Sequence, residues 1–428
     1  MAGSAIGLGN IWRFPYMVGE NGGAAFILVY LICTLLLSLP IFLSESIIGR
    51  KTHRATYGAL ARLAPGTKWK HMSLLTILGA LLIMFFYSVV GGWSVEYFIK
   101  SFTFTTKDPA LAEGFFQDFI VKPWSPLLFH TVFLLLTAVI VGFGVKKGIE
   151  KFSSISMPLL FLLIVAILIY SLTLPGADTG VRYLVQPDLS KIDVGVVISA
   201  MGQSFFSLSL GVGTILTYSS YMSDKDNLMS VAVGTIFFDI MFAVLAGFAI
   251  MPAVFSAGIP AESGPGLVFK TIPYIFASMG ESAPVISTIV SVLFFLTILV
   301  AALTSSISMF ETSVAFLVEQ RHLSRWGAVA VIFAIIWSVG CLCSLSFGPL
   351  SDIKLFGDTI FEFCDHLTAN YLMIFGGLMF TIFVGWKLRK EEVREQLGAT
   401  HTFGLFYFLI RYVAPVFIVI IFITNLFL

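Results

Sequence analysis

GSAIGLGNIWRFPY, residues 3–16, and GQSFFSLSLGVGTILTYSSY, residues 202–221, decide the fold. Both belong to apolar runs, yet both carry what such runs ordinarily avoid. Gly3, Gly7 and Gly9 lead into Asn10 and Arg13 in the first; Gln203, Ser207 and Ser209 lead into Gly211 and Gly213, which flank Val212, in the second. Glycine weakens a helix, and polar groups at membrane depth mark function. The pattern predicts helices that break inside the membrane. Unwound backbone leaves carbonyls free to coordinate a cation, while each half-helix N-terminus offers N–H groups and a positive dipole end to an anion. Taken singly, either stretch reads equally well as a close-packed interface of small residues.

The surrounding composition makes lipid the solvent. Of 428 residues, 58% are hydrophobic and 11% charged, more apolar surface than a soluble domain of this size could hide. Runs of about 20 apolar residues choose helices over a barrel. They fall at about 24–48, 74–101, 125–144, 154–174, 197–221, 227–255, 284–318, 326–346, 360–387 and 404–427, with a shorter one at the start. The expected fold is therefore an all-α membrane protein of about eleven transmembrane helices. The basic stretches at 49–71, 146–151, 320–325 and 387–396 occupy alternate loops and belong in the cytoplasm. Acidic residues such as Asp178, Asp188, Asp352 and Asp358 lie in the other set. This places the N-terminus inside and the C-terminus outside a plasma (inner) membrane. The opening run lacks a basic n-region, so no cleavable signal is expected.

The two interruptions fall in the first and sixth spans, where two five-span repeats of inverted topology require them. The repeats would cover about 1–174 and 195–388 of a single domain, 1–428, with an extra helix at 404–427. AALTSSISMFE, residues 301–311, adds Thr304 and Ser305, hard oxygen donors suited to sodium. Helix hydroxyls usually bond back to the preceding turn, so this segment gains weight only beside the other two. Asp239 lies alone in TIFFDIMFAVLAG, where an unpaired charge costs roughly 2.5–3.5 kcal/mol; it needs a cation, a proton or a buried partner.

Other classes of function lack support. The net charge of +1 and the confinement of basic residues to loops indicate no nucleic-acid surface. The histidines lack metal-ligand spacing. Cys341 and Cys343 are too near along one helix to bridge, and with Cys33 and Cys364 they read as packing residues. No nucleophile with a matched base appears, so no enzyme is expected.

Over essentially its whole length the chain resembles the neurotransmitter:sodium symporter family, in particular its bacterial eleven-span amino-acid transporters of the leucine-transporter fold. GSAIGLGNIWRFPYMVGENGGAAF, residues 3–26, carries the likeness most specifically, with SLSLGVG and LTSSIS in support. The resemblance implies a first sodium site at Ala5, Asn10, Ser207 and Asp239. It implies a second at Gly3, Ile6, Ala301, Thr304 and Ser305. Leu8, Gly9 and Tyr87 would hold the substrate carboxylate, and Ile83, Phe206, Ser209, Val212, Ser305 and Met309 would line the side-chain pocket. Monoamine carriers have an aspartate where Gly7 stands, so an amino acid is favoured, hydrophobic and of medium to large size. Chloride-dependent relatives hold their anion with a tyrosine, glutamine, serine and asparagine. Tyr30, Gln203 and Ser207 match, but Asp239 replaces the asparagine and brings its own negative charge, so chloride independence is expected. Proton return through Asp239 is a plausible accompaniment.

Further implied roles are an outer gate of Arg13 and Asp365 with Phe206 as the aromatic lid over the substrate, structural support of the broken sixth span by Glu45, and a cytoplasmic gate around Tyr221, Glu311 and Glu319. Relatives carry a cytoplasmic segment and the first half of span one ahead of the position of Met1, so the first helix is expected to be truncated in its N-terminal half. The expected function is sodium-coupled symport of an amino acid by alternating access; the alternative is an amino-acid-binding sensor or scaffold that does not transport.

Overall fold

The computed structural model describes residues 2–103, 109–258, 260, 267–281, 283–398 and 403–427. Among them, nine helices are long and apolar enough to cross a membrane unbroken: Ala24–Thr52, Trp69–Lys100, Trp124–Gly142, Val145–Leu172, Leu228–Ser256, Pro284–Arg321, Arg325–Leu345, Ile360–Lys387 and Phe403–Thr424. Two more are interrupted, which completes the expected eleven. The first is Ala2–Ala5 followed by Gly9–Arg13 and Phe14–Glu20; the sixth is Val194–Ser207 followed by Thr214–Ser219.

Each break satisfies its own backbone. In the first span the Gly7 carbonyl accepts from Asn10 N (3.1 Å) and Ile11 N (3.3 Å). Asn10 Oδ1 takes the Gly7 N–H at 2.9 Å, so the motif's asparagine caps the turn it follows. In the sixth span the chain turns through residues 208–213, with φ of +79° at Gly211 and +74° at Gly213, the left-handed region that glycine enters without a Cβ penalty. The second half-helix opens with orphan N–H groups. Glu45, fully buried in the second span, accepts from Gly211 N (2.7 Å) and Leu216 N (3.3 Å).

The turn in the sixth span also meets the tenth, backbone against backbone. A Cβ at Gly376 would stand 1.8 Å from the Gly211 carbonyl oxygen, and one at Gly211 would stand 2.0 Å from that of Met373. Only glycine fits this crossing. The third and eighth spans pack along each other most extensively, the first lies against the seventh, and Thr214–Ser219 lies against the second.

Three features depart from the sequence reading. The basic stretch at 146–151, expected as a loop, forms the widened first turns of the fifth span, Val145–Glu150 running into Lys151–Leu172; Gly144, at φ +87°, makes the turn two residues ahead of the first lysine. A two-stranded hairpin, Lys354–Leu355 with Asp358–Thr359, precedes the tenth span and ends in the Thr359–Glu362 capping box. Between the tenth and eleventh spans a short helix, Lys390–Leu397, is tied to the end of the second. Lys51 stands 3.6 Å from both Glu392 and Glu395, and Arg50 Nε donates to Gln396 Oε1 at 2.8 Å.

Candidate transport site

The two breaks and the seventh span converge on Asp239, which is fully buried. Asn10 Nδ2 donates to Asp239 Oδ1 (2.8 Å), to its backbone carbonyl (3.0 Å) and to Ser207 Oγ (3.0 Å). Ser207 Oγ donates to Oδ1 at 2.6 Å and the Tyr30 hydroxyl to Oδ2 at 3.1 Å. One carboxylate thus gathers side chains from the first, second and sixth spans, all of them able to reorient. Ala5 lies one residue ahead of the break, buried.

A second polar cluster lies where the eighth span crosses the start of the first. Thr304 Oγ1 is 2.9 Å from the carbonyls of both Ile6 and Ala301, and Ser305 Oγ is 3.5 Å from that of Ser4. Gly3, within Ala2–Ala5, packs against Ser153 of the fifth span. A Cβ at Gly7 would come 1.9 Å from Ser305 Oγ, which leaves no room there for an aspartate unless the eighth span shifts.

Between the clusters runs a narrow cavity lined by Gly9, Ile83, Tyr87, Phe206, Ser207, Ser209, Ser305 and Met309. Leu8 presents its N–H to the Tyr87 hydroxyl at 3.4 Å. Val212 stands apart from the cavity: it is fully buried, and its Cγ1 faces Gly79 of the third span. The left-handed turn carries it past the opening that Ser209 lines.

Above the cavity the Arg13 guanidinium lies 4.8 Å over the Phe206 ring and donates to Gln203 Oε1 at 3.1 Å. Gln203 in turn donates to the Gly9 carbonyl at 2.7 Å. Asp365 is near enough to feel the Arg13 charge, but the two make no ion pair among the described residues, because the guanidinium is turned onto Phe206 and Gln203.

The residues expected at the cytoplasmic gate are bonded more tightly. Glu311, fully buried, accepts two bonds from Arg325 (3.2 and 2.5 Å) and one from the Tyr221 hydroxyl (2.6 Å). Glu319 accepts from Ala55 N at 2.7 Å and pairs with Arg54 at 3.6 Å. Arg325 is the residue that sequence reasoning missed. It reads as one more loop cation, yet a glutamate inside an apolar helix demands a partner, and this demand was the available signal.

A bundle of apolar spans in which two broken helices meet at a polar cavity within the membrane defines a secondary transporter. The model of the sodium:neurotransmitter symporter family matches residues 1–109 and 125–428. YhdH of Bacillus subtilis, an uncharacterized sodium-dependent transporter, is 37% identical over 434 residues, 99% of this chain and 94% of its own. A sodium-dependent transporter of Haemophilus influenzae is 35% identical over 445 residues, 100% of this chain and 96% of its own. Among solved structures, MhsT in complex with L-phenylalanine superposes with a TM-score of 0.93 at 40% identity, over 99% of this chain and 96% of that one. The chain belongs to the sodium:neurotransmitter symporter family.

Proposed function

We propose that this transporter moves a hydrophobic L-amino acid into the cell with two sodium ions and without chloride. The observation that carries the reading is the placing of one narrow cavity between an anionic cluster at Asp239 and a neutral oxygen cluster at Thr304. Sodium at the first would be held by Asp239, Ser207, the Ala5 carbonyl and Asn10. The Asn10 amide must rotate for this, because Oδ1 now takes the Gly7 N–H and the donor side faces the carboxylate. Sodium at the second would exchange the Thr304 hydrogen bonds for coordination by the carbonyls of Gly3, Ile6 and Ala301 and the hydroxyls of Thr304 and Ser305.

The substrate carboxylate would take the Leu8 and Gly9 N–H groups and the Tyr87 hydroxyl, and would complete the first sodium shell. Ion and substrate binding are then coupled through a shared contact. Ile83, Phe206 and Met309 give the side chain an apolar wall, and the phenylalanine bound by MhsT supports a substrate of that size. Burying such a side chain is worth about 1.5–3 kcal/mol, a preference of roughly 10- to 150-fold over glycine. Chloride is redundant in this reading because Tyr30 and Ser207 already donate to Asp239; a second anion there would repel the first. The first repeat, 1–174, and the second, 195–388, would supply the moving bundle (spans one, two, six and seven) and the body it rocks against, with the basic loops inside.

Uptake of a radiolabelled amino-acid panel into proteoliposomes tests this. The inward sodium gradient is compared with potassium, and chloride with gluconate. Sodium-driven accumulation of phenylalanine or leucine, equal in both anions, is expected. Binding without accumulation would replace symport by a sensor; accumulation that needs chloride would remove the role given to the Asp239 charge.

A further inference from the structure

Cys343 and Cys364 are 21 positions apart and belong to different spans, the last turns of the ninth and the first turns of the tenth. Their Sγ atoms nevertheless stand 3.9 Å apart, with the residues 0% and 4% exposed. The approach is fixed by what surrounds it. Ser346 Oγ donates to the Cys343 carbonyl (2.7 Å) and receives the Phe361 N–H (3.4 Å), which joins the two helix ends. Phe361 packs edge-on against Phe347 at 4.9 Å and stacks on Trp93 of the third span at 5.9 Å. Cys364 directly precedes Asp365, and the pair sits at the outer end of both spans in the orientation proposed above, on which this inference rests.

The geometry points to a dithiol modification site: Cys343 and Cys364 are oxidised reversibly to a disulfide that clamps the turn carrying Asp365 to the ninth span. Outer compartments sustain disulfides, and thiols already in contact need only small torsional changes to reach bonding distance. With hydrogen peroxide as the two-electron oxidant, one thiolate attacks a peroxide oxygen and displaces hydroxide, giving a sulfenic acid. The other sulfur attacks that sulfur, the S–S bond forms and water leaves. Two thiols and one peroxide become one disulfide and two waters. The clamp joins two helices that belong to the stationary body in the proposed cycle, so its effect is on rigidity, not on the passage of substrate. A cross-link closing a loop of this length raises stability by constraining the unfolded chain.

The test uses the full chain in detergent, treated with peroxide or dithiothreitol, then unfolded and alkylated with N-ethylmaleimide for peptide mass analysis. A linked peptide holding Cys343 and Cys364, two hydrogens lighter than its parts, is expected after oxidation, with Cys33 and Cys341 still alkylated. The thermal midpoint is expected to rise by about 2–5 °C on oxidation and fall back on reduction, and to stay put in Cys343→Ala and Cys364→Ala. Four separately alkylated thiols after peroxide, or a link through Cys341, would overturn the assignment. A link that leaves the midpoint unmoved would overturn the clamp. Neither readout uses uptake, so a failure of amino-acid symport would show itself separately.

Discussion

Glu45 and Asp239 are both fully buried carboxylates in membrane-spanning helices, and they are satisfied in opposite ways. Glu45 meets backbone N–H groups, Gly211 and Leu216, whose positions are set by the turn itself. Asp239 meets side chains, Asn10, Ser207 and Tyr30, each of which can rotate away. Backbone donors make a permanent cap, and exchangeable side-chain donors make a place where a cation can take over. In the proposed cycle the difference separates a carboxylate that holds the fold from one that would handle cargo, although burial and residue type alone would rank them together.

The sharpest way to break this comparison is Asp239→Ala. It leaves the Ser207 and Tyr30 hydroxyls without their carboxylate acceptor, each at a cost of about 1–3 kcal/mol, while Asn10 keeps the backbone carbonyl of residue 239, and it removes the charge. Sodium-driven uptake should fall on the order of 1,000-fold; Asp239→Asn should regain part of it when chloride is supplied. Sodium-dependent uptake that survives Asp239→Ala would put the cation elsewhere. Next in size, Arg325→Ala strands Glu311. Loss of a buried partner costs about 3–5 kcal/mol, and the lower figure applies because Arg325 is 27% exposed and water can enter. Thermal unfolding should register that loss, and Glu311→Gln in the same chain should restore most of it.

Glu45→Gln turns an amide NH₂ toward one of two N–H donors, so stability should drop by about 2 kcal/mol. The sodium concentration for half-maximal uptake should stay where it is; a shift would make Glu45 part of the cargo site after all. Arg13→Lys is the mildest change. It weakens the cation–π contact with Phe206, worth about 0.5–1 kcal/mol, and should raise the apparent KM about two- to five-fold with little effect on the maximal rate.

How much of this was legible follows from how local each signal is. The broken spans could be read because Gly7, Gly9, Gly211 and Gly213 announce themselves within a few residues, and the eleven crossings because hydropathy is additive along the chain. Asp239 announced a need for partners, though only the resemblance said which. What escaped was whatever depends on where two distant helices face each other. Arg325 reads as a loop cation until the ninth span is laid beside the eighth. Cys343 reads as packing until the tenth span brings Cys364 to it. Val212 was expected at the cavity from the resemblance; the left-handed turn between Ser209 and Val212 rotates the chain by an amount that no pattern of polar and apolar letters encodes, and Val212 faces Gly79 instead. The widened first turns of the fifth span were hidden by their lysines, which a loop and a helix end carry equally well.

The crossing of Gly211 with Gly376 has a mechanical consequence. Interlocked side chains behave like gear teeth: one surface advances past another only by whole rotamer steps. Here two bare peptide ribbons bear on each other with no tooth between them, so in the proposed cycle the broken sixth span would turn by small angles against the tenth as a shaft turns in a plain bearing. A single methyl group at either glycine would be grit in that bearing.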